Sequence, residues 1–166
     1  MCGVMNIPYL SQNNYPNYVF PVHSGSSMSG TGCGIVSTTM VLRYLTGTDI
    51  RVEDVATWAD NNGHFNGRGS NGTLFKAAAK KWNVGNVVQV SKNNFSTVKK
   101  ALRNGRPVIS LQNPGIFTQH QHYIVLTGID STGKIHINNP NRTIRVYTEE
   151  EINRSAVNYQ IFDAKK

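Results

Sequence analysis

The hydrophobic period of this chain changes partway along it, and the change constrains the fold more than any other feature. Up to about residue 105 the apolar residues recur at three- and four-residue spacing; beyond it they mostly alternate. A period near 3.6 makes helices and a period of two makes strands. The stripe Val36, Met40, Val41 and Tyr44 predicts a helix over 33–45 that stops at Gly47. Further helices are predicted over 52–60, 73–82 and 94–104, the last ending at Gly105, with a Gly- and Asn-rich loop at 64–72. Strands are predicted at 84–90, 108–111, 122–128, 134–138, 143–147 and 159–162. The turn Asp130-Ser131-Thr132-Gly133 closes a hairpin, and Thr148-Glu149-Glu150-Glu151 is a capping-box pattern opening a short helix. Residues 7–31 read as irregular. Helices followed by a mostly antiparallel sheet make an α+β fold, here in one domain over residues 1–166.

The 166 residues suffice for a real core, and with glycine counted about 48% are apolar, ordinary for a globular chain. No stretch reaches the ~20 apolar residues of a membrane span. The first thirty residues lack the basic-then-apolar order of a secretory signal. Charge is unevenly distributed: residues 1–75 carry a net −1 and residues 76–166 a net +9. No acidic residue occurs from Asn61 through Ile129, where nine basic ones fall. Such a segment attracts polyanions, among them anionic wall polymers. Nothing in it looks like a nucleic-acid module, and Lys80, Lys81, Lys99, Lys100 and Arg103 also fit ordinary solvated helix faces.

Two cysteines, Cys2 and Cys33, cannot form a disulfide scaffold. Neither has a His or Cys partner at zinc-site spacing, so no metal is expected. Cys33 lies in Gly30-Thr31-Gly32-Cys33-Gly34 at the start of the first predicted helix. Small neighbours admit a ligand backbone, and the positive end of the helix favours thiolate. A thiol nucleophile needs a base, and the base needs a third group to fix its tautomer. Of five histidines, His122 opens the strongest strand pattern, His122-Tyr123-Ile124-Val125-Leu126-Thr127-Gly128. His120, two residues back on the same face, is a second candidate. Cys2, near the terminus, reads as inert.

In this order the motifs resemble the papain-like cysteine peptidases related to the bacteriocin-processing, double-glycine-leader peptidases. Ile7-Pro8-Tyr9-Leu10-Ser11-Gln12 resembles that family's N-terminal strand and oxyanion glutamine. Gly32-Cys33-Gly34-Ile35-Val36 resembles its nucleophile helix, and Ala101–Ile109 an intervening helix and strand. His122–Asp130 resembles the histidine strand, and Gly133–Pro140 the strand of the third member. The resemblance implies a papain-like fold, no cofactor, and hydrolysis of peptide or amide bonds through a thioester. It implies Cys33 as nucleophile, His122 as base and acid, Asn139 as orienting group and Gln12 as oxyanion donor. Asn139 is a departure, because the family usually has Asp before the proline. The residues alone leave Asn138 and His136 open as orienters, and Asn139 also suits a turn before Pro140.

The substrate expected is a peptide, with the peptidoglycan of a bacterial or phage-targeted cell wall favoured because the basic half suits an anionic wall. That places the protein outside the cell, already processed or exported by a route other than a visible signal; the cytosol is the other location. Leader-peptide processing is the alternative enzyme, acyl transfer uses the same residues, and a silent wall- or polyanion-binding module is the non-enzymatic alternative.

Overall fold

The computed structural model describes residues 3–142 and 144–166. Seven strands form one antiparallel sheet: β1 Gly3–Val4, β2 Val87–Ser91, β3 Val108–Gln112, β4 His122–Ile129, β5 Ile135–Asn138, β6 Arg145–Tyr147 and β7 Ala156–Phe162. Their order is β2-β7-β3-β4-β5-β6. β1 joins β4 where β3 ends, pairing Val4 with Gly128. Gly128 has to be glycine, because a Cβ there would lie 2.4 Å from the Gly3 carbonyl oxygen.

The helices are α1 Met28–Thr31, α2 Cys33–Thr46, α3 Val52–Asn61, α4 Leu74–Lys81, α5 Phe95–Arg103 and α6 Glu149–Arg154. α2 is buried continuously from Gly34 to Leu42, not along a stripe. A helix buried on all sides belongs at the centre of a fold. Its two central threonines satisfy their hydroxyls internally: Thr38 donates to the Gly34 carbonyl at 2.7 Å and Thr39 to that of Ile35 at 2.8 Å. Both α2 and α5 pack on β4, and all eight residues of β4 are buried. The end of the central helix therefore meets the end of the central strand. This junction puts Cys33 and His122 in the walls of one cleft.

The predicted elements are present with shifted ends. α2 stops at Gly47, whose φ is 67°. The capping box at Thr148 and Glu151 opens α6. The strand expected from Val84 starts at Val87, because Asn83 and Gly85 both take positive φ and break the extended run. The last strand begins at Ala156 rather than Tyr159. The strand expected over 143–147 spans Arg145–Tyr147, and Thr143 lies outside the described residues. Within the region read as irregular, α1 precedes the nucleophile helix. Ile7–Ser11 is not a strand: ladder pairing falls on Gly3–Val4, and a short 3-10 turn takes up Gln12–Asn14.

Candidate active site

Cys33 is the first residue of α2, and its sulfur opens into a cleft of about 310 Å³. Gln12 and His122 line the same cleft. The helix leaves the first-turn N–H groups without intrahelical partners. N–H groups of Tyr123, Gly34 and Cys33 itself point at the sulfur and favour its thiolate. Burial outweighs them and pushes the Cys33 thiol above the ordinary range. The sequence expectation of a lowered thiol pKa is corrected here: desolvation at the helix–strand junction exceeds the stabilisation the helix end supplies.

His122 is 4% exposed and Asn139 2% exposed. The His122 Nε2 lies 2.7 Å from Asn139 Oδ1. An amide oxygen can only accept, so Nε2 carries the hydrogen and Nδ1 of the neutral ring is left as the acceptor. Burial lowers the imidazole's pKa, the Asn139 contact opposes this, and the nearby Arg142 cation adds to the lowering. Burial thus works against the charged form of both groups.

Asn139 is at once orienter and turn former. Its Oδ1 also accepts the Asn141 N–H at 3.1 Å, and its carbonyl accepts the Arg142 N–H at 3.1 Å. Asn138 faces the other way, donating to the Ile7 carbonyl at 3.1 Å. His136 is 2.8 Å from Asp130 and far from this role. His120 lies in the cleft wall, exposed, in the bend before β4 rather than on the strand.

Gln12 is buried in the cleft wall. Its Nε2 donates to the Ser29 carbonyl at 2.7 Å and to that of Met28 at 3.3 Å. To donate to an oxyanion it must give up the longer of these. Its backbone N–H bonds the Pro140 carbonyl at 2.7 Å, and Tyr9 Oη donates to the Asn139 carbonyl at 2.8 Å. The N-terminal segment therefore clamps the turn that holds Asn139. Tyr9 was missed as a positioning residue, although it stands inside the Ile7–Gln12 motif.

The other wall of the cleft comes from the 64–71 loop. Gly34 admits it: a Cβ at that position would lie 2.5 Å from Ser70 Oγ and 3.1 Å from Tyr123 Cδ2. The loop carries Arg68, which sequence reasoning passed over; the signal was a lone charge in a Gly- and Asn-rich run.

Among the described residues, two of the nine cations in the acid-free segment meet carboxylates from outside it. Glu149 of α6 reaches Lys99 at 3.1 Å, and Asp163 reaches Arg106 at 3.5 Å. Cys2 lies outside the described residues.

A sequence model of the Peptidase_C39 like family matches residues 4–165. No curated protein matches the chain. Among solved structures, one described as a C39-like peptidase from Bacillus anthracis is 16% identical with a TM-score of 0.67, covering 99% of this chain and 98% of that one. A double glycine motif protease from an AMS/PCAT transporter, solved with its leader peptide, is 20% identical with a TM-score of 0.59, covering 96% and 93%. The interpain A cysteine protease of Prevotella intermedia is 12% identical with a TM-score of 0.61, again covering 96% and 93%. These likenesses show a papain-like fold, and the family match runs through every strand and helix that builds the cleft. The chain belongs to the Peptidase_C39 like family and is a cysteine peptidase.

Proposed function

We propose that Cys33 is the nucleophile of a peptidase acting on peptides of the bacterial cell wall, outside the cell that makes it. The observation that carries the catalytic part is the buried 2.7 Å contact between His122 and Asn139 at the edge of the cleft that holds Cys33. Attack begins with the thiol proton moving to His122 Nδ1 as the sulfur–carbon bond forms, and the carbonyl oxygen takes the negative charge. The free N–H groups at the start of α2 and the Gln12 amide are the donors for that oxygen. Collapse breaks the carbon–nitrogen bond, and the imidazolium gives its proton to the departing amine. Water, deprotonated by the same ring, then cleaves the thioester to the acid and regenerates the thiol. Asn139 holds the ring tautomer throughout but, having no charge, does not neutralise the imidazolium.

The wall assignment rests on the net +9 of residues 76–166 and on a cleft whose apolar lining is confined largely to Leu111 and Tyr123. Processing of a leader peptide is the second reading, supported by the likeness to the double glycine motif protease. One experiment separates them. Purified protein is incubated with isolated bacterial cell walls and, separately, with soluble peptides containing paired glycines. Loss of wall turbidity that disappears in Cys33→Ala is the expected result. Cleavage after paired glycines with no effect on walls would replace the wall reading with the leader reading.

A further inference from the structure

The cleft is lined by a cation and by no carboxylate. Among the described residues in its walls there is neither Asp nor Glu, while Arg68 lines it on the 64–71 loop. A second cation, Arg142, stands close enough to His122 to depress the imidazole's basicity. Arg68 has an exposed side chain, and its guanidinium makes no hydrogen bond or ion pair among the described residues.

The loop that presents Arg68 is built as a rigid element. Phe65 and Ser70 pair as an antiparallel bridge across it. Inside that bridge, Asn66 Oδ1 accepts the N–H groups of Arg68 at 2.9 Å and Gly69 at 3.0 Å. The Asn66 N–H in turn donates to the Gly69 carbonyl at 3.0 Å. At its base, Phe65 is 2% exposed and stacks on Phe20 with ring centroids 4.2 Å apart. Ser26 donates to the Gly67 carbonyl from the other side. These bonds hold the loop's backbone, and its one charged side chain lines the cleft with no partner among the described residues.

We infer that Arg68 selects substrates carrying a carboxylate close to the scissile bond, so that the peptide cut at Cys33 is acidic rather than neutral. The planar guanidinium fork matches carboxylate geometry, and the fixed backbone limits where it can reach. The absence of an acid in the walls removes competition for it, and Arg142 adds to the same field. This inference rests on Cys33 being the nucleophile, and it deepens the wall reading by naming the chemistry recognised.

The test uses alkylating probes, so it needs no known substrate. In a Cys2→Ser background, labelling of Cys33 is timed with iodoacetate against iodoacetamide. It is timed also with tripeptidyl vinyl sulfones and iodoacetyl tripeptides carrying Glu or Gln in matched pairs. The two peptide series extend along the cleft in opposite directions from the sulfur. At low salt the anionic member of a pair should react roughly two- to threefold faster than a neutral cleft would allow, the factor for unit charges about 8 Å apart in water. Arg68→Gln should remove that preference, Arg68→Glu should invert it, and ~1 M salt, with a screening length of about 3 Å, should erase it. An anionic-to-neutral ratio that is the same in wild type, Arg68→Gln and Arg68→Glu overturns the inference while leaving the nucleophile in place. Failure of every probe, iodoacetamide included, to label Cys33 overturns the nucleophile reading itself, and the inference with it.

Discussion

Asn139 Oδ1 sits 2.7 Å from His122 Nε2, and the same oxygen accepts the N–H of Asn141 at 3.1 Å. One amide oxygen thus ties the imidazole to the turn after β5. The turn in turn is tied to the N-terminal segment through Tyr9 and Gln12. Removing the side chain should free the ring without unfolding the strand. For Asn139→Ala we expect kcat to fall by at least tenfold, part of the ~10²-fold or more that a placed general base supplies, with KM little changed. Asn138→Ala should instead lower thermal stability, because Asn138 serves the Ile7 carbonyl and not the ring. If Asn138→Ala proves the catalytic lesion and Asn139→Ala is silent, His122 is oriented by something else.

The pH profile follows from the direction of the His122 shift. Burial, with Arg142 behind it, holds the imidazole below its ordinary value, and the reaction needs the ring neutral. Activity should therefore persist as pH falls through ~6.5, the ordinary histidine value, and be lost only below it. Asn139→Asp puts a negative charge against Nε2, which favours imidazolium. The acid limb of kcat/KM should then move up in pH. An acid limb that stays fixed in Asn139→Asp would show that His122 does not set it.

Burial likewise raises the Cys33 thiol. Iodoacetamide labelling of Cys33 should rise with pH to a midpoint above ~8.5, the value of a free thiol. Cys33→Ser should abolish turnover with little change in melting temperature, because the exchange replaces one sulfur by oxygen and leaves the packing volume nearly unchanged. A labelling midpoint below the free-thiol value would mean that the resting pair is thiolate and imidazolium after all.

How much of this was legible in the residues depends on the range of the interaction. The period switch near residue 105 gave α2 and β4, and with them Cys33 and His122, because helix and strand periodicities are local properties. The Asn139 assignment needed a register: β5 ends at Asn138, which pairs with Val125 of β4, and Asn139 stands in the turn just beyond it. Tyr9 acts across 130 residues of sequence, and no local pattern reports such a contact. The ion pair of Lys99 is hidden from the sequence for the same reason: Glu149 lies 50 residues away in the chain yet meets it at 3.1 Å in the fold. The thiol pKa was misjudged because a helix start is visible in sequence and burial is not.

The wall-binding idea must be adjusted for that pairing. Charge reversal at Lys80, Lys81 and Lys100, all exposed, should weaken binding to isolated walls and flatten its salt dependence. Cleavage of a small soluble peptide should continue. Reversal at Lys99 additionally sets two negative charges against each other at Glu149 and should lower stability, so it belongs in a separate variant. Wall binding that survives the triple reversal would remove the cationic surface from the wall reading.

Asp60 anchors the segment leading into the nucleophile helix. Its buried carboxylate accepts the N–H groups of Val22 at 2.7 Å and His23 at 3.1 Å, and the His23 Nδ1 at 2.6 Å. Burial works to raise its pKa, but the hydrogen bonds from the His23 ring and the two N–H groups together outweigh it and hold the group below its ordinary value. A carboxylate depressed in the folded state adds stability that is present above its unfolded pKa, ~3.9, and is lost as pH falls through the lower folded value. Asp60→Ala should therefore destabilise the protein at pH 7 by about 3 kcal/mol, the scale for breaking a buried charged contact. The gap between wild type and variant in urea unfolding should stay constant from pH 7 to about pH 5 and narrow only below ~4. The same variant releases His23, whose ring packs against Gly67 of the Arg68 loop. We expect it to blunt the preference for anionic probes as well as stability. A gap that closes near pH 6 instead would assign the pH dependence to histidine rather than to Asp60.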